Sequence, residues 1–337
     1  MYDGFYNLIK KPFQLSADTD FFFNSAVHKR ALAYMRYGLT QGEGFVVIIG
    51  KPGTGKTMLV KELVNNLNND NITIGIMVSS QVSADDLLKI ISATFGLPYD
   101  GEDKSTLLTR IERFFINQSM EGKRVLMIVD EAQNLPKDAL EELRMLSNFE
   151  MAGKSLFQIF LIGQQQLGER LALPEMEQLR QRVVATYQLK PLNIEETKEY
   201  ILFRLKKAGW NNSPQFDDEV FCKICAYTNG IPRLINTLCD RLLLFGYLDE
   251  LTTINSFAVK KVIEDIEDES SLITEEFHDR AQTTMLNIDS NGSYEDRISL
   301  LEKMVIHLQD SLNKERALLR KAILLQLDMD TVYNDNH

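Results

Sequence analysis

Five short apolar runs, separated by helix-like stretches, divide the first 191 residues of the chain. Strands that are apolar on both faces and alternate with helices are typical of a parallel sheet covered on both sides. The pattern therefore predicts an α/β domain over residues 44–191. The runs are Phe45 to Ile49, Ile72 to Val78, Val125 to Val129, Phe157 to Ile162 and Val183 to Leu189.

The residues before the first run have a different composition. Residues 1–43 are rich in aromatic side chains and include a helix that we predict from about Ser25 to Tyr37. We interpret this part of the chain as an N-terminal docking segment.

Helical signals alone follow the last apolar run. Asn193 and Glu196 have the spacing of a capping box, which marks the start of a helix. Asn229-Gly230 is a stop signal for a later helix, and Pro232 suits the first position of the next one. Residues 192–266 are therefore predicted to form a helical lid domain.

The C-terminal region changes character twice. Residues 267–292 are acidic and polar with little to bury, which favours a linker. Residues 293–327 carry apolar side chains at a and d spacing, interrupted by Glu315, which predicts a short coiled coil or an amphipathic helix packed on its own chain. Residues 328–337 are predicted to be a disordered tail. The heptad positions are Ile298, Leu301, Val305, Leu308, Leu312 and Leu319.

Composition and charge are those of an ordinary globular protein, with 44% hydrophobic and 25% charged residues. The formal charge of -11 offers no general attraction for phosphates, so nucleic-acid binding is unsupported but left open. No apolar run approaches the roughly 18–20 residues that cross a bilayer, and the first residues lack a secretory signal. The three cysteines do not resemble a disulfide framework. We therefore expect a cytoplasmic protein.

A glycine-rich segment directly after the first strand carries the clearest chemistry. Gly50-Lys51-Pro52-Gly53-Thr54-Gly55-Lys56-Thr57 fits the P-loop pattern, in which glycines let backbone N–H groups surround phosphates. A chance turn is the alternative, but the preceding strand and the helix-prone Met58 to Leu67 are the required context. Lys56 is expected to reach the β- and γ-phosphates of ATP, and Thr57 to hold Mg²⁺. The expected nucleotide contacts are Gly50, Pro52, Gly53, Thr54, Gly55, Lys56, Thr57 and Met58.

Two carboxylates end the third apolar run. Asp130 would emerge at the edge of the sheet beside the phosphates, where it can complete the Mg²⁺ shell. Glu131 would orient or deprotonate the attacking water, since phosphoryl transfer depends mainly on positioning and charge stabilisation. An apolar run followed by Asp-Glu means little alone, but it gains weight beside a P-loop.

Two further polar residues are candidate sensors of the γ-phosphate. Gln164 follows the fourth run, although a strand-end glutamine bonded to a loop is the alternative and the neighbouring glutamines leave its register open. Arg233 lies on the first turn of a predicted helix, where the helix dipole disfavours a cation unless an external anion is present. We expect Arg233 to couple hydrolysis to closure of the lid.

Arg180 and Arg182 precede the fifth run, at the end of a helix that would face a neighbouring subunit. Either could enter the neighbour's ATP site and neutralise transition-state charge. We favour Arg182, and a solvated surface arginine is the alternative.

Two features remain without an assigned role. Cys222 and Cys225 have CxxC spacing on a predicted helix, where buried structural cysteines are more plausible than a metal or redox site. His28 is expected to border the adenine pocket together with Phe13 and Phe23.

Taken together, these motifs resemble the AAA+ secretion ATPases of the ExeA/GspA type, including relatives found with MSHA pilus and with exopolysaccharide or PEP-CTERM loci. The resemblance covers roughly residues 1–266. The motifs that carry it are Tyr6-Asn7-Leu8, Lys11-Pro12-Phe13, Tyr37-Gly38-Leu39, Gly42-Glu43-Gly44-Phe45, the P-loop, Asp130-Glu131-Ala132-Gln133, Leu161-Ile162-Gly163-Gln164, Leu179-Arg180-Gln181-Arg182 and Gly230-Ile231-Pro232-Arg233-Leu234-Ile235-Asn236.

The resemblance implies an AAA+ P-loop NTPase core with strand order 5-1-4-3-2, a helical lid, and ATP-driven homo-oligomerisation into a ring or filament. It also implies an envelope or secretion-apparatus partner, with the protein placed peripherally at the cytoplasmic face of the inner membrane. ExeA continues into a transmembrane helix and a peptidoglycan-binding region, whereas this chain continues into a linker and heptad helix. Peptidoglycan binding is therefore not carried over.

Two other functions compete with this interpretation. More distant AAA+ relatives of the TnsC/TniB type regulate transposition and bind DNA, although this sequence lacks the net positive charge expected of them. A scaffold that binds ATP with negligible turnover is the second alternative.

Overall fold

A sheet of five parallel strands forms the centre of the computed structural model, which describes residues 2–14, 18–67, 71–79 and 83–269. The strands in chain order are β1 (Phe45–Gly50), β2 (Ile72–Val78), β3 (Arg124–Asp130), β4 (Glu150–Met151), β5 (Lys154–Ser155), β6 (Phe157–Gly163), β7 (Val183–Leu189), β8 (Gln215–Phe216) and β9 (Thr253–Ile254). The helices are α1 (Tyr2–Phe5), α2 (Ala26–Gln41), α3 (Lys56–Leu67), α4 (Ala84–Thr94), α5 (Lys104–Met120), α6 (Lys137–Leu146), α7 (Gln165–Leu171), α8 (Glu177–Arg180), α9 (Ile194–Lys207), α10 (Asp218–Thr228) and α11 (Pro232–Leu248).

The order of the strands in the central sheet is β2-β3-β6-β1-β7. When these five strands alone are numbered along the chain, the order reads 5-1-4-3-2, which confirms the predicted topology. All four pairings are parallel, so the carboxyl ends of β1, β3 and β6 lie side by side at one edge. Polar residues that follow these strands are therefore brought together.

Alternate residues of the inner strands β1, β3 and β6 enter two separate hydrophobic cores. On β1, Phe45 and Val47 pack into the core that contains residues of α4 to α7, while Val46 and Ile48 pack against α2 and α3. Burial on both faces explains why the strands appear in the sequence as continuous apolar runs rather than as alternating patterns. The sheet is thereby a rigid base for the loops at its carboxyl edge.

Helices α9, α10 and α11 occupy the region in which a lid was predicted, and that name is kept for them. The capping box at Asn193 is present, with the Glu196 N–H donating to the Asn193 side chain at 2.8 Å. Helix α10 ends at Asn229 in the left-handed conformation, and Pro232 begins α11, as predicted. The expectation of helices alone was wrong, because the strands β8 and β9 pair in parallel in this region. These strands are too short to leave a periodic signal in the sequence.

The N-terminal segment packs on the lid and the sheet of its own chain. The Tyr2 hydroxyl donates to Asp240, and the Tyr6 hydroxyl donates to the Leu251 carbonyl at 3.1 Å. The Ile9 N–H donates to the Ala208 carbonyl at 2.8 Å. Its tyrosines therefore hold residues 2–9 against the helical domain.

The chain divides into two compact units, Met1–Asp265 and Ile266–His337. Only residues 266–269 of the second unit are described, so the predicted coiled coil at 293–327 and tail at 328–337 lie outside the described residues, as does nearly all of the linker. Across the described ranges, no helix combines the length and apolarity that a membrane crossing requires. Cys239 is buried, but Cys222 is exposed, so the expectation of buried cysteines was wrong for that residue.

Candidate nucleotide site

The P-loop joins β1 to α3 in a conformation that requires glycine at two positions. Gly53 has φ 79° and Gly55 has φ 96°, values at which side chains are strained. Space is also short, because a Cβ atom on Gly53 would lie 2.7 Å from the Arg233 Cβ, and one on Gly55 would lie 2.9 Å from the His28 Nε2. The loop is therefore tightly enclosed by the lid on one side and by α2 on the other.

Lys56 is the first residue of α3 and is buried. Its Nζ atom donates to the carbonyls of Gly50 at 3.0 Å and Lys51 at 3.2 Å, so the loop's own backbone holds the ammonium. Burial lowers the pKa of Lys56, while the nearby charges of Glu131 and Asp130 act in the opposite direction. The ammonium is thus held beside the cavity by neutral acceptors, which an anion could replace.

Thr57 and Asp130 meet across the site, although 73 positions separate them in the chain. The Thr57 hydroxyl donates to the Asp130 Oδ2 at 2.9 Å, and the Glu131 N–H donates to the Asp130 Oδ1 at 2.9 Å. A hydroxyl and a carboxylate are hard oxygen donors of the kind that Mg²⁺ prefers. The residues present therefore fit a magnesium ion.

Glu131 adopts the left-handed conformation with φ 53°, which costs about 1–3 kcal/mol for a residue with a side chain. Its Oε2 atom accepts hydrogen bonds from the Gln133 amide at 2.6 Å and from the Gln164 amide at 3.1 Å. Burial acts to raise the pKa of Glu131, but these two hydrogen bonds and the charge of Lys56 lower it overall. The carboxylate is therefore ionised and held in one orientation.

Gln133 links the two strand ends that carry Glu131 and Gln164. Its side-chain oxygen accepts from the Gln164 N–H at 3.0 Å while its amide donates to Glu131. Arg170 of α7 donates to the Gln133 carbonyl at 2.8 Å and to the Leu135 carbonyl at 2.6 Å. Sequence reasoning assigned no role to Gln133 or Arg170, and only the position of Gln133 two residues after Glu131 could have indicated one.

A cavity of about 530 Å³ opens beside these residues. The sequence-predicted residues at its wall are Pro52, Gly53, Gly55, Lys56, Thr57, Met58, Glu131, Gln164 and Arg233. His28 and Phe23 also line it, as expected, whereas Phe13 is buried away from the wall. The three other predicted residues lie directly behind this wall, each bonded to a residue that lines it. Gly50 contacts Lys56, Thr54 contacts His28, and Asp130 contacts Thr57.

Another part of the cavity wall is aromatic and contains the buried guanidinium of Arg204. Arg204 donates to the Pro12 carbonyl at 2.6 Å and to the Tyr200 hydroxyl at 2.9 Å. Its guanidinium lies 5.0 Å from the centre of the Phe21 ring, and Tyr200 donates to Asn236 at 2.8 Å. These contacts bind the N-terminal segment to the lid along one side of the cavity.

Arg233 brings the lid against the P-loop. Its backbone N–H donates to the Gly53 carbonyl at 3.2 Å, and its side chain is exposed at the cavity. The sensor role predicted for Arg233 remains a prediction, but the residue lies beside the phosphate-binding loop.

Arg180 and Arg182 lie away from this cavity. Arg182 donates to the Ser147 carbonyl at 3.2 Å and lines a separate groove with Arg144. Arg180 donates to the Ala172 carbonyl at 3.1 Å and pairs with Glu177. Neither touches the nucleotide site of its own chain, and a role toward a neighbouring chain stays a prediction.

Comparison with known proteins agrees with this geometry. A family model described as an AAA domain matches residues 39–171. The chain is 38% identical over 248 residues to General secretion pathway protein A of Aeromonas hydrophila, covering 73% of this chain and 45% of that protein. It is 30% identical over 111 residues to the ATP-dependent target DNA activator B of Escherichia phage Mu, covering 33% of each chain.

Among solved structures, the chain is similar to Cdc6p from Pyrobaculum aerophilum, with a TM-score of 0.56 at 15% identity, covering 74% of this chain and 71% of that chain. At this identity the likeness concerns the fold alone. The chain spans less than half the length of the secretion-pathway relative, since the match covers 45% of that protein.

Proposed function

We propose that the chain is an AAA+ P-loop ATPase, which binds Mg-ATP and hydrolyses it to ADP and phosphate. The observation that supports this most strongly is the contact between Thr57 and Asp130 at 2.9 Å, with Glu131 on the same cavity wall. A P-loop hydroxyl, a strand-end aspartate and an adjacent glutamate are the groups that phosphoryl transfer to water requires.

Each end of the cavity suits one part of the nucleotide. The triphosphate would lie along the backbone of Gly53 to Thr57 at the N-terminus of α3, where N–H groups and the helix dipole favour anions. Lys56 would leave the carbonyls of Gly50 and Lys51 for phosphate oxygens. The adenine would lie on the aromatic side, near Phe23 and Tyr200.

Mg²⁺ would be held by Thr57 and Asp130 and would supply charge neutralisation at the phosphates when bound. Glu131 would orient a water for in-line attack on the γ-phosphorus and accept its proton. The bond between the γ-phosphorus and the bridging oxygen then breaks, and ADP leaves with that oxygen's electron pair. Gln164 and Arg233 would contact the γ-phosphate, so its loss would change the contact between lid and P-loop.

We further propose that nucleotide state controls assembly of several copies into a ring or filament. Arg182, or less favourably Arg180, would then act on the ATP of the adjacent copy. Support comes from the position of both arginines outside their own cavity and from the AAA+ fold, in which a neutralising arginine is often supplied in trans.

The cellular role we propose is secretion or assembly of envelope polysaccharide or pili, with an envelope partner at the inner membrane. The support is the 38% identity to General secretion pathway protein A over 73% of this chain. The formal net charge of the chain, -11, favours a protein partner over nucleic acid.

A DNA-associated regulator is the second candidate, favoured by the similarity to the target DNA activator of phage Mu. Filter binding to duplex DNA, with and without ATP, separates the two. Tight binding that weakens steeply with salt would favour the DNA role and contradict the preference for a secretion partner.

Calorimetric titration with ATP and a phosphate-release assay test the ATPase proposal together. We expect the wild-type chain to bind ATP with Mg²⁺ and to release phosphate. Lys56→Ala should weaken ATP binding severely, because it removes the charge that faces the phosphates. A wild-type chain that binds no nucleotide would contradict the proposal.

A further inference from the structure

The N-terminus of α2 meets the P-loop through a buried histidine. His28 is only 5% exposed, and its Nε2 atom lies 3.2 Å from the Thr54 carbonyl oxygen. Its Nδ1 atom lies 2.8 Å from the hydroxyl of Ser25, which caps α2. Three side-chain and backbone groups, from residues 25, 28 and 54, therefore form one continuous hydrogen-bonded chain.

The chemistry of the partners decides the protonation of the ring. A carbonyl oxygen can only accept, so the His28 Nε2 must carry the hydrogen that is donated to Thr54. Burial lowers the pKa of His28, which favours the neutral ring. In the neutral ring Nδ1 is then an acceptor, and the Ser25 hydroxyl donates to it. The Thr54 carbonyl thereby selects the tautomer, and the Ser25 hydroxyl supports it by donating to Nδ1.

The bond to Thr54 also determines the orientation of the next amide. In a planar trans peptide the C=O and N–H groups point in opposite directions. Since the Thr54 carbonyl is directed at His28, the Gly55 N–H is directed away from the His28 ring. Gly55 lines the cavity in the middle of the phosphate-binding segment. The orientation of this one peptide therefore decides whether its N–H is available to a phosphate.

We propose that His28 is a positioning residue for nucleotide binding, which holds the Thr54–Gly55 peptide in the orientation that binds phosphate. The proposal rests on the proposed ATPase function and adds a residue from outside the P-loop to it. His28 does not touch the reacting atoms through this bond, and it acts through the Gly55 amide.

The lid is joined to the same helix end. The Ala26 N–H donates to the Glu196 Oε1 at 3.1 Å, and the Glu196 Oε2 accepts from the Asn193 N–H at 3.3 Å. Glu196 lies in the first turn of α9, so the first turn of α2 contacts both the lid and the P-loop. His28 consequently fixes the position of the Thr54–Gly55 peptide relative to the lid.

Two variants of His28 separate positioning from simple packing. His28→Phe keeps a ring and loses the donor, while His28→Gln keeps a donor near the position of Nε2. We expect His28→Phe to weaken ADP binding roughly three- to tenfold, the range that one neutral hydrogen bond supports. His28→Gln should recover most of that loss. The probes are ADP and adenosine, measured by calorimetry on the full chain.

Adenosine distinguishes a phosphate effect from a general one, because it lacks the group that the Gly55 amide would bind. His28→Phe should lower ADP affinity by a larger factor than adenosine affinity, although His28 also lines the cavity. Equal losses for adenosine and ADP, or an ADP affinity unchanged by His28→Phe, would overturn the proposal. If the wild-type chain itself binds no ADP, the proposed ATPase function fails instead.

Removal of a helix-capping serine supplies a matched control. Ser25→Ala removes a cap and the donor to His28, whereas Ser83→Ala removes the cap of α4, which accepts from the Asp86 N–H at 3.2 Å. Both should lower the melting temperature by a similar small amount. Only Ser25→Ala should weaken ADP binding, and equal ADP affinities in the two variants would contradict the support that Ser25 gives to the His28 ring.

Discussion

The side-chain amide of Gln133 donates a hydrogen bond of 2.6 Å to the carboxylate of Glu131, two residues earlier in the chain. The same glutamine accepts from the backbone N–H of Gln164 at 3.0 Å. Gln133 therefore holds together the ends of two adjacent strands, β3 and β6, at the point where the attacking water would be oriented. Glu131 depends on this glutamine for its orientation.

Gln133→Ala should lower the rate of phosphate release by about tenfold or more at saturating ATP, because a misplaced base loses much of its effect. ATP affinity should change by less than about twofold, since Gln133 does not line the cavity wall. Single-turnover and equilibrium-binding measurements check both values. A variant that loses affinity but not rate would show that Gln133 supports the P-loop rather than Glu131.

Arg233→Ala should weaken ATP binding more than ADP binding, if the guanidinium reaches the γ-phosphate. A hydrogen bond between charged groups contributes about 1.5–3 kcal/mol, which corresponds to roughly 10- to 150-fold in affinity. Titration with a non-hydrolysable ATP analogue and with ADP measures the difference. Lys206→Ala, on the exposed surface of α9, is the control. Equal loss for both nucleotides would assign Arg233 to the lid contact alone.

Arg182→Ala should abolish most ATP turnover while leaving ATP binding unchanged, if Arg182 serves the adjacent copy. Mixing Arg182→Ala with Glu131→Gln should then restore part of the activity, because some mixed interfaces contain an intact glutamate and an intact arginine. Arg180→Ala is the parallel variant. No restoration on mixing, together with a lower melting temperature, would show that Arg182 acts through its bond to Ser147.

The pH dependence of stability should reveal the buried histidine. The pKa of His28 is lowered by burial, with the Thr54 carbonyl and the charge of Glu196 acting in the opposite direction. In the unfolded state the histidine has its ordinary pKa of about 6.5, so below that pH the unfolded state binds more protons than the folded state. The contribution to the free energy of unfolding is therefore present above that pH and is lost as the pH falls below it.

Urea denaturation at several pH values checks this, with the fluorescence of Trp210, the single tryptophan, as the signal. Wild type should lose stability between about pH 6.5 and pH 5 by more than His28→Gln does. The same slope in both chains would assign the pH dependence to other groups.

The features that were predicted correctly from sequence depend on local or periodic patterns. The inner strands β1, β3 and β6 are buried on both faces, so each of them stands out as a nearly continuous apolar run. The capping box at Asn193 and the proline that starts α11 involve residues within one turn of each other. The P-loop needs only its own glycines and the strand and helix beside it. Short-range chemistry of this kind can be recognised in a single sequence.

The features that were missed depend on contacts between distant parts of the chain. The bond between His28 and Thr54 spans 26 positions, and that between Gln164 and Gln133 spans 31. The sequence around a histidine in an amphipathic helix does not indicate which carbonyl its side chain will contact. The exposure of Cys222 on α10 was misjudged because helical periodicity alone did not decide which face of that helix is covered. The strands β8 and β9 have two residues each, which is too few for a strand pattern to be recognised in the sequence.

The central claim is that Glu131, held beside a magnesium site of Thr57 and Asp130, is the group that drives ATP hydrolysis. The most direct test is phosphate release by Glu131→Gln, measured in a single turnover beside its affinity for ATP. The account predicts that release falls by at least about a hundredfold while ATP binding is retained, because the amide is isosteric but cannot accept the proton. Phosphate release at the wild-type rate would contradict it.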